Sequence, residues 1–129
     1  MAKHHPFAEL LGVEIVSVGA GRAVAEIQAD ERLHNPNGVV HGATVFALAD
    51  TSMGAAVHSL LSKGEACASI EVHVRYFRSV RTGRLRAETT VIFEHKRIMH
   101  LESHVRTVDG TLVAFATGSF AVLGPSSEK

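Results

Sequence analysis

Hydrophobic and polar positions alternate with two different periods along this chain, and the change from one to the other marks its elements. Leu11 to Gln28 reads as two β-rich pieces, LGVEIVSV and RAVAEIQ, on either side of Gly19-Ala20-Gly21, where glycine permits the positive φ of a tight hairpin. Residues 29–38 contain Asn35-Pro36-Asn37-Gly38 and predict a loop. From Val40 to Leu61 the chain has no proline and many good helix formers, and Gly64 follows as a stop, which predicts one long helix. Apolar residues occur all round it, with Asp50 as its only charged residue, so the helix is expected to be buried.

After Gly64 the period becomes two. Ile70, Val72, Val74 and Tyr76 fall on one side, opposite Ser69, Glu71, His73 and Arg75. Leu85, Ala87, Thr89, Val91 and Phe93 form the apolar set of a second strand, and Met99, Leu101, Ser103 and Val105 alternate with His100, Glu102, His104 and Arg106 in a third. Asp109-Gly110 is a hairpin signal, and TLVAFATGSFAVL beyond it reads as a central strand. A hairpin, a long helix and four strands joined by short turns predict an α+β protein with an antiparallel sheet curved round one central helix. Its 129 residues suit one domain over 1–129, with 1–6 and 125–129 as frayed tails.

Thirteen basic and thirteen acidic residues cancel, so no global field argues for nucleic acid or an anionic membrane. No stretch approaches the roughly 20 apolar residues of a membrane span, and no signal-peptide pattern follows Lys3. A single cysteine, Cys67, fits a reducing compartment, and the cytoplasm is expected.

A carboxylate in the middle of an apolar helix costs several kcal/mol unless it is paired, hydrogen-bonded or solvated. Asp50 therefore either meets a polar group of another element, lies on an exposed edge, or serves chemistry; Phe46, Ala47, Met53 and Gly54, its neighbours on the helix face, cannot pair with it. The helix opens at His41-Gly42, where first-turn N–H groups are unsatisfied donors at the positive end of the helix dipole. Gly42 is either an ordinary terminus glycine or a residue that lets a substrate carbonyl approach its N–H. Eight positions of helix separate Gly42 from Asp50, about 12 Å, so one helix cannot bring both to one carbonyl. If they cooperate, they do so across a two-fold axis in a homo-oligomer.

The stretch Asn35 to Gly54, NPNGVVHGATVFALADTSMG, resembles the signature of hotdog-fold acyl-CoA thioesterases of the phenylacetate-degradation (PaaI-like) type, related to the 4-hydroxybenzoyl-CoA thioesterases. The resemblance runs from Phe7 to the last strand. It implies a hotdog fold, a homodimer or dimer of dimers with the site at the subunit interface, an acyl-CoA substrate, and no cofactor beyond the CoA of the substrate. It implies Asp50 as general base or nucleophile, Gly42 N–H as carbonyl polariser, Asn35 as orienter of the water or the carboxylate, and Ser69 at a position that holds a water in some members. His41 is expected to shape the helix start. The family has His-Gly-Gly where this chain has His41-Gly42-Ala43, which leaves the donor intact and narrows the acyl channel.

Phe46, Met53, Gly54 and Val57 are expected to line an apolar pocket for an aryl or medium-chain acyl group. Arg75, Arg78, Arg81, Arg84 and Arg86 crowd one hairpin and Lys96-Arg97 a neighbouring turn; of these Arg78, Arg81, Lys96 and Arg97 are the candidates for the CoA phosphates. No metal is expected, since His100, Glu102 and His104 share an ordinary solvent-facing strand surface and no cysteine cluster accompanies them. Two other readings stand beside thioester hydrolysis: a hotdog-fold hydratase or dehydratase pairing His34 with Asp50, and a non-catalytic acyl-CoA-binding module.

Overall fold

The computed structural model describes residues 5–124. His5 and Pro6, expected in a frayed tail, are ordered: His5 caps a short helix α1 (Pro6–Leu11), its Nδ1 accepting the Ala8 N–H at 3.2 Å. This helix was not legible as a separate element; the rest of both expected tails lies outside the described residues. The expected hairpin follows as β1 (Glu14–Gly19) and β2 (Arg22–Ala29), turning through Ala20 and Gly21, both at positive φ.

The central helix α2 spans Gly42–His58, shorter at both ends than the propensity pattern indicates. Val40 is drawn out of it by tertiary hydrogen bonding: it bridges to His34, and its N–H bonds to Val80 O at 2.7 Å. At the other end Ser59 accepts the Gly21 N–H at 2.9 Å and donates to Ala56 O at 2.7 Å, tying the helix terminus to the first hairpin.

Four strands complete the sheet: β3 (Ala66–Tyr76), β4 (Gly83–Glu94), β5 (Ile98–Thr107) and β6 (Leu112–Leu123). All pairings are antiparallel and the order is β1-β2-β4-β5-β6-β3, so β6 is an interior strand while β1 and β3 are the edges. The helix lies across the sheet, and between them sits the core of Ile27, Leu48, Met53, Val57, Leu85, Leu101, Val105 and Val113. Each such side chain contributes about 1.5–3 kcal/mol by leaving water. Many inward positions on the sheet are small, among them Ala23, Ala25, Ala87, Ala114, Ala116 and Gly118, which lets the helix approach closely. At Gly118 a Cβ would stand 2.7 Å from Met53 Sδ.

Two inward assignments are corrected by bulges. The register of β3 on β6 shifts between Ser69 and Glu71, leaving Ile70 56% exposed, and that of β4 on β5 shifts between Val91 and Phe93, leaving Phe93 57% exposed. An extra residue at a bulge changes which face the following side chains occupy, and alternation alone does not reveal it.

Candidate active site

The helix entry is built by the loop before it. Asn35 Oδ1 accepts the N–H groups of Asn37 at 2.8 Å and Val39 at 3.4 Å, Asn35 N–H bonds to Val39 O at 2.7 Å, and Gly38 N–H bonds to Asn35 O at 3.0 Å. The side-chain oxygen of Asn35 is thus occupied in shaping the loop, which leaves its amide nitrogen as the group able to reach outward. His41 is the N-cap of α2, with Nδ1 accepting the Ala43 N–H at 2.9 Å, so this ring nitrogen is unprotonated and organises the first turn. Among the described residues the Gly42 N–H has no hydrogen-bond partner, although the His41 N–H bonds to Leu33 O and the Thr44 N–H to His41 O. One donor at the positive helix end is left over for a ligand.

Tyr76, which period-two alternation assigns to the apolar side of β3, lies instead against this entry. Its hydroxyl donates to Gly42 O at 2.8 Å, and a Cβ at residue 42 would lie 3.2–3.3 Å from Cζ, Cε1 and Oη of its ring. Gly42 is therefore glycine at least partly because Tyr76 packs on its Cα. No signal in the local sequence pairs two residues 34 positions apart.

Asp50 stands two turns further on, half-buried, with Oδ1 sealed from solvent and without a hydrogen-bond partner among the described residues. Burial pushes its carboxyl above the usual carboxylate range, and the charge of His5 offsets part of that shift. Cys67 of β3 is its neighbour: burial, and secondly the negative charge of Asp50, push the thiol up, and Sγ points to Gly54 O at 3.9 Å. The expectation of a helix buried all round is corrected here. Ala43, Phe46, Asp50, Gly54 and His58, at helical spacing, form a stripe that the sheet of the same chain leaves uncovered, with Phe46 39% exposed.

The other expected site residues divide. Ser69 is exposed on edge strand β3 at the bulge, and Gly54 is on the open stripe, whereas Met53 and Val57 are fully buried between helix and sheet. Those two are core residues and offer a pocket no surface. Both side chains join the core between helix and sheet, Met53 with its sulfur against Gly118.

Arg84 and Arg86 are engaged by carboxylates. Arg84 pairs with Glu14 and, through Nε, with Glu26 at 2.9 Å; Arg86 pairs with Glu26 at 2.8 Å. The hydrogen bonds from Arg84 and then Arg86 hold the Glu26 carboxyl below its ordinary range. Arg78 Nη1 donates to Leu112 O at 2.8 Å and Arg81 Nη1 to Gly38 O at 3.5 Å, which places Arg81 beside the loop that presents Gly42. Lys96 and Arg97 lie elsewhere: Arg97 O accepts the Val122 N–H at 2.8 Å, next to Leu123, which pairs with Ala66 at the start of β3, whereas Tyr76 at its end pairs with Ala114. Eleven residues of strand, about 33–36 Å, separate the two ends. The two basic pairs of one chain therefore cannot bind one set of phosphates.

Among the described residues no three of His, Cys, Asp or Glu are placed to hold a metal ion. His100 bonds to Ser119 Oγ at 2.9 Å, and the His104 ring tilts over Phe115 with centroids 4.9 Å apart. Both face outward from the sheet, away from the helix.

Residues 37–114, which contain the helix entry, Asp50 and strands β3, β4 and β5, match the thioesterase superfamily. The chain belongs to that superfamily. A conserved protein of Pseudomonas aeruginosa superposes on this thioesterase with a TM-score of 0.88 at 33% identity, covering 93% of this chain and 95% of that one. A thioesterase of Haemophilus influenzae does so with a TM-score of 0.86 at 27% identity over 92% and 82% of the two chains. A phenylacetic acid degradation-related protein of Ralstonia eutropha gives 0.85 at 25% identity over 93% and 92%. The hotdog architecture and the PaaI-like resemblance read from Asn35 to Gly54 accordingly hold for this thioesterase. No helix among the described residues is long and apolar enough to cross a membrane.

Proposed function

We propose that this thioesterase hydrolyses the acyl-CoA thioester of an aryl or medium-chain acid, at sites shared between two copies of the chain. The observation that carries the reading is the presence on one helix of two groups without a hydrogen-bond partner among the described residues: Oδ1 of the desolvated Asp50 carboxylate on an open stripe, and the Gly42 N–H at the helix entry. Because about 12 Å of helix separates them, Gly42 of one subunit meets Asp50 of another. The stripe from Ala43 to His58 and the edge strand β3 supply an uncovered surface on which a second copy fits.

In this reading the thioester carbonyl oxygen accepts the Gly42 N–H, and the helix dipole stabilises the charge that develops there. Asp50 either attacks the carbonyl carbon itself or takes a proton from the water that does. In either case the C–S bond breaks and the sulfur leaves as thiolate, to be protonated to free CoA; direct attack leaves a mixed anhydride on Asp50 that a water then hydrolyses to the carboxylic acid and free Asp50, whereas activated water gives the acid in one step. Desolvation raises the basicity of Asp50 and so serves either role. Arg78 and Arg81 at one end of β3, and Lys96 and Arg97 at the other, are the candidates for the phosphates. An antiparallel pairing of two copies brings the first pair of one toward the second pair of its partner.

The hydratase reading would need His34 to act through Nδ1, since its Nε2 donates to Arg81 O at 2.7 Å; hydration of an enoyl-CoA without thiol release would favour it. A pure binding module gains nothing from an unpartnered carboxylate beside the acyl group. The test is thiol release from a panel of aryl and aliphatic acyl-CoAs with Asp50→Ala as control. The expected result is turnover of at least one of them, lowered by orders of magnitude in the variant with ligand binding retained; unchanged turnover in Asp50→Ala would overturn the mechanism.

A further inference from the structure

We infer that Tyr76 is a positioning residue for thioester hydrolysis, holding Gly42 so that its N–H stays aimed at the substrate carbonyl. The inference rests on the reading of Gly42 as the carbonyl polariser. Three observations support it. The Tyr76 hydroxyl donates to Gly42 O at 2.8 Å, its ring occupies the space a Cβ of residue 42 would need, and the two residues reach each other from different elements, edge strand β3 and the first turn of α2.

The physical need is clear from the position of Gly42. It is the first helical residue, its N–H has no intrahelical acceptor, and glycine has the widest backbone freedom of any residue. An oxyanion donor works only while it is fixed at hydrogen-bonding distance from the developing charge. His41 constrains the turn through the Ala43 N–H, one residue beyond, and leaves the Gly42 Cα itself unsupported. The Tyr76 ring and hydroxyl supply that support on the Cα and on the carbonyl that follows it. Burial pushes the Tyr76 phenol above its ordinary range, so it is a hydrogen donor at neutral pH. The side chain is nevertheless half exposed, so its hydroxyl can be removed without opening the core.

The experiment uses the intact oligomer and whichever of benzoyl-CoA and hexanoyl-CoA is hydrolysed faster. Tyr76→Phe keeps the ring and deletes the hydroxyl; kcat is expected to fall roughly five- to tenfold, with KM within about twofold of the parent. In an Asp50→Asn background the bound probe, labelled with carbon-13 at the carbonyl, is followed by infrared difference spectroscopy. Its carbonyl band is expected to move back toward the position of free thioester when Tyr76→Phe is added. That band reports only on folded, ligand-bound protein, so partial unfolding cannot imitate the effect. Parental kcat and an unmoved band would overturn the inference, as would a change confined to KM, which would mean that Tyr76 touches CoA instead of acting through Gly42.

Gly42→Pro and Gly42→Ala separate this outcome from failure of the underlying reading. Both place a Cβ against Tyr76, but only proline removes the N–H, and His41 already has the extended ψ of 138° that a following proline requires. Equal activity in the two variants, above the Asp50→Ala background, sinks Gly42 as polariser, whatever Tyr76 does. A large loss specific to proline, together with an unaffected Tyr76→Phe, sinks the inference about Tyr76 alone.

Discussion

Gly42 and Asp50 stand on the same helix, eight positions and about 12 Å apart, and among the described residues neither the Gly42 N–H nor the Asp50 Oδ1 has a hydrogen-bond partner. A site built from both needs two chains, which makes it open to complementation. Gly42→Pro and Asp50→Ala are each expected to be inactive as homodimers. Co-expressed, they form mixed dimers in which one of the two sites has an intact Gly42 and an intact Asp50. Random pairing then restores about one quarter of parental activity. Absence of any recovery in a purified mixed dimer would place both groups of the site in one chain.

The raised Asp50 pKa gives two pH effects of opposite sense. With Asp50 as the proposed base or nucleophile, the carboxylate is the active form, so kcat/KM is expected to rise with pH through a limb lying above the ordinary carboxylate range. Stability runs the other way. Between the unfolded value near 3.8 and the raised folded value, the native state binds more protons than the unfolded one, so stability falls as pH increases across that window. Asp50→Asn removes the cost of the buried charge, and its melting temperature at neutral pH is expected to exceed that of the parent while activity is lost. Calorimetry at pH 4 and pH 7 reads the difference, and a variant no more stable than the parent at pH 7 contradicts the account.

Met53 and Gly118 are matched across the helix–sheet boundary. Gly118→Ala forces a methyl onto the Met53 sulfur in a fully buried space and is expected to cost about 1–3 kcal/mol. Met53→Ala opens a cavity and is expected to cost about 2–5 kcal/mol. Together they should cost less than their sum, because the methyl enters the space the sulfur vacates. Denaturant titration of the four proteins measures the coupling.

The arginines of the Arg75–Arg86 region are expected to separate by function. Arg81→Gln, beside the loop before Gly42, should raise KM for an acyl-CoA several-fold and leave KM for the corresponding acyl-pantetheine unchanged, since the latter lacks the nucleotide phosphates. Arg84→Gln breaks the pairing with Glu14 and Glu26 and should alter stability without selectively changing KM for CoA. An equal KM effect on both thioesters would remove Arg81 from phosphate recognition.

How much of this was legible beforehand depended on whether a feature was local. The hairpin, the helix and the strand set follow from the period of apolar residues and from Gly19, Gly64 and Gly110, so α+β architecture was readable along the chain. Asp50 was conspicuous because a lone acid on an apolar helix is locally costly, and the motif from Asn35 to Gly54 pointed to thioesterases before any fold was known.

Tertiary structure decided the remainder, and in each case the reason is a contact between distant segments. The bulges after Ser69 and Val91 turned Ile70 and Phe93 outward, packing against the sheet buried Met53 and Val57, and cross-strand register tied Arg84 and Arg86 to Glu14 and Glu26. Tyr76 reached Gly42 only because the end of β3 folds back beside the entry of α2. By itself the sequence determined which elements form and which residue carries the unusual charge, since propensity and periodicity act over a few neighbours. Which side chains surround that charge, and which donor is left free to meet a substrate, depended on long-range packing that no window of residues contains.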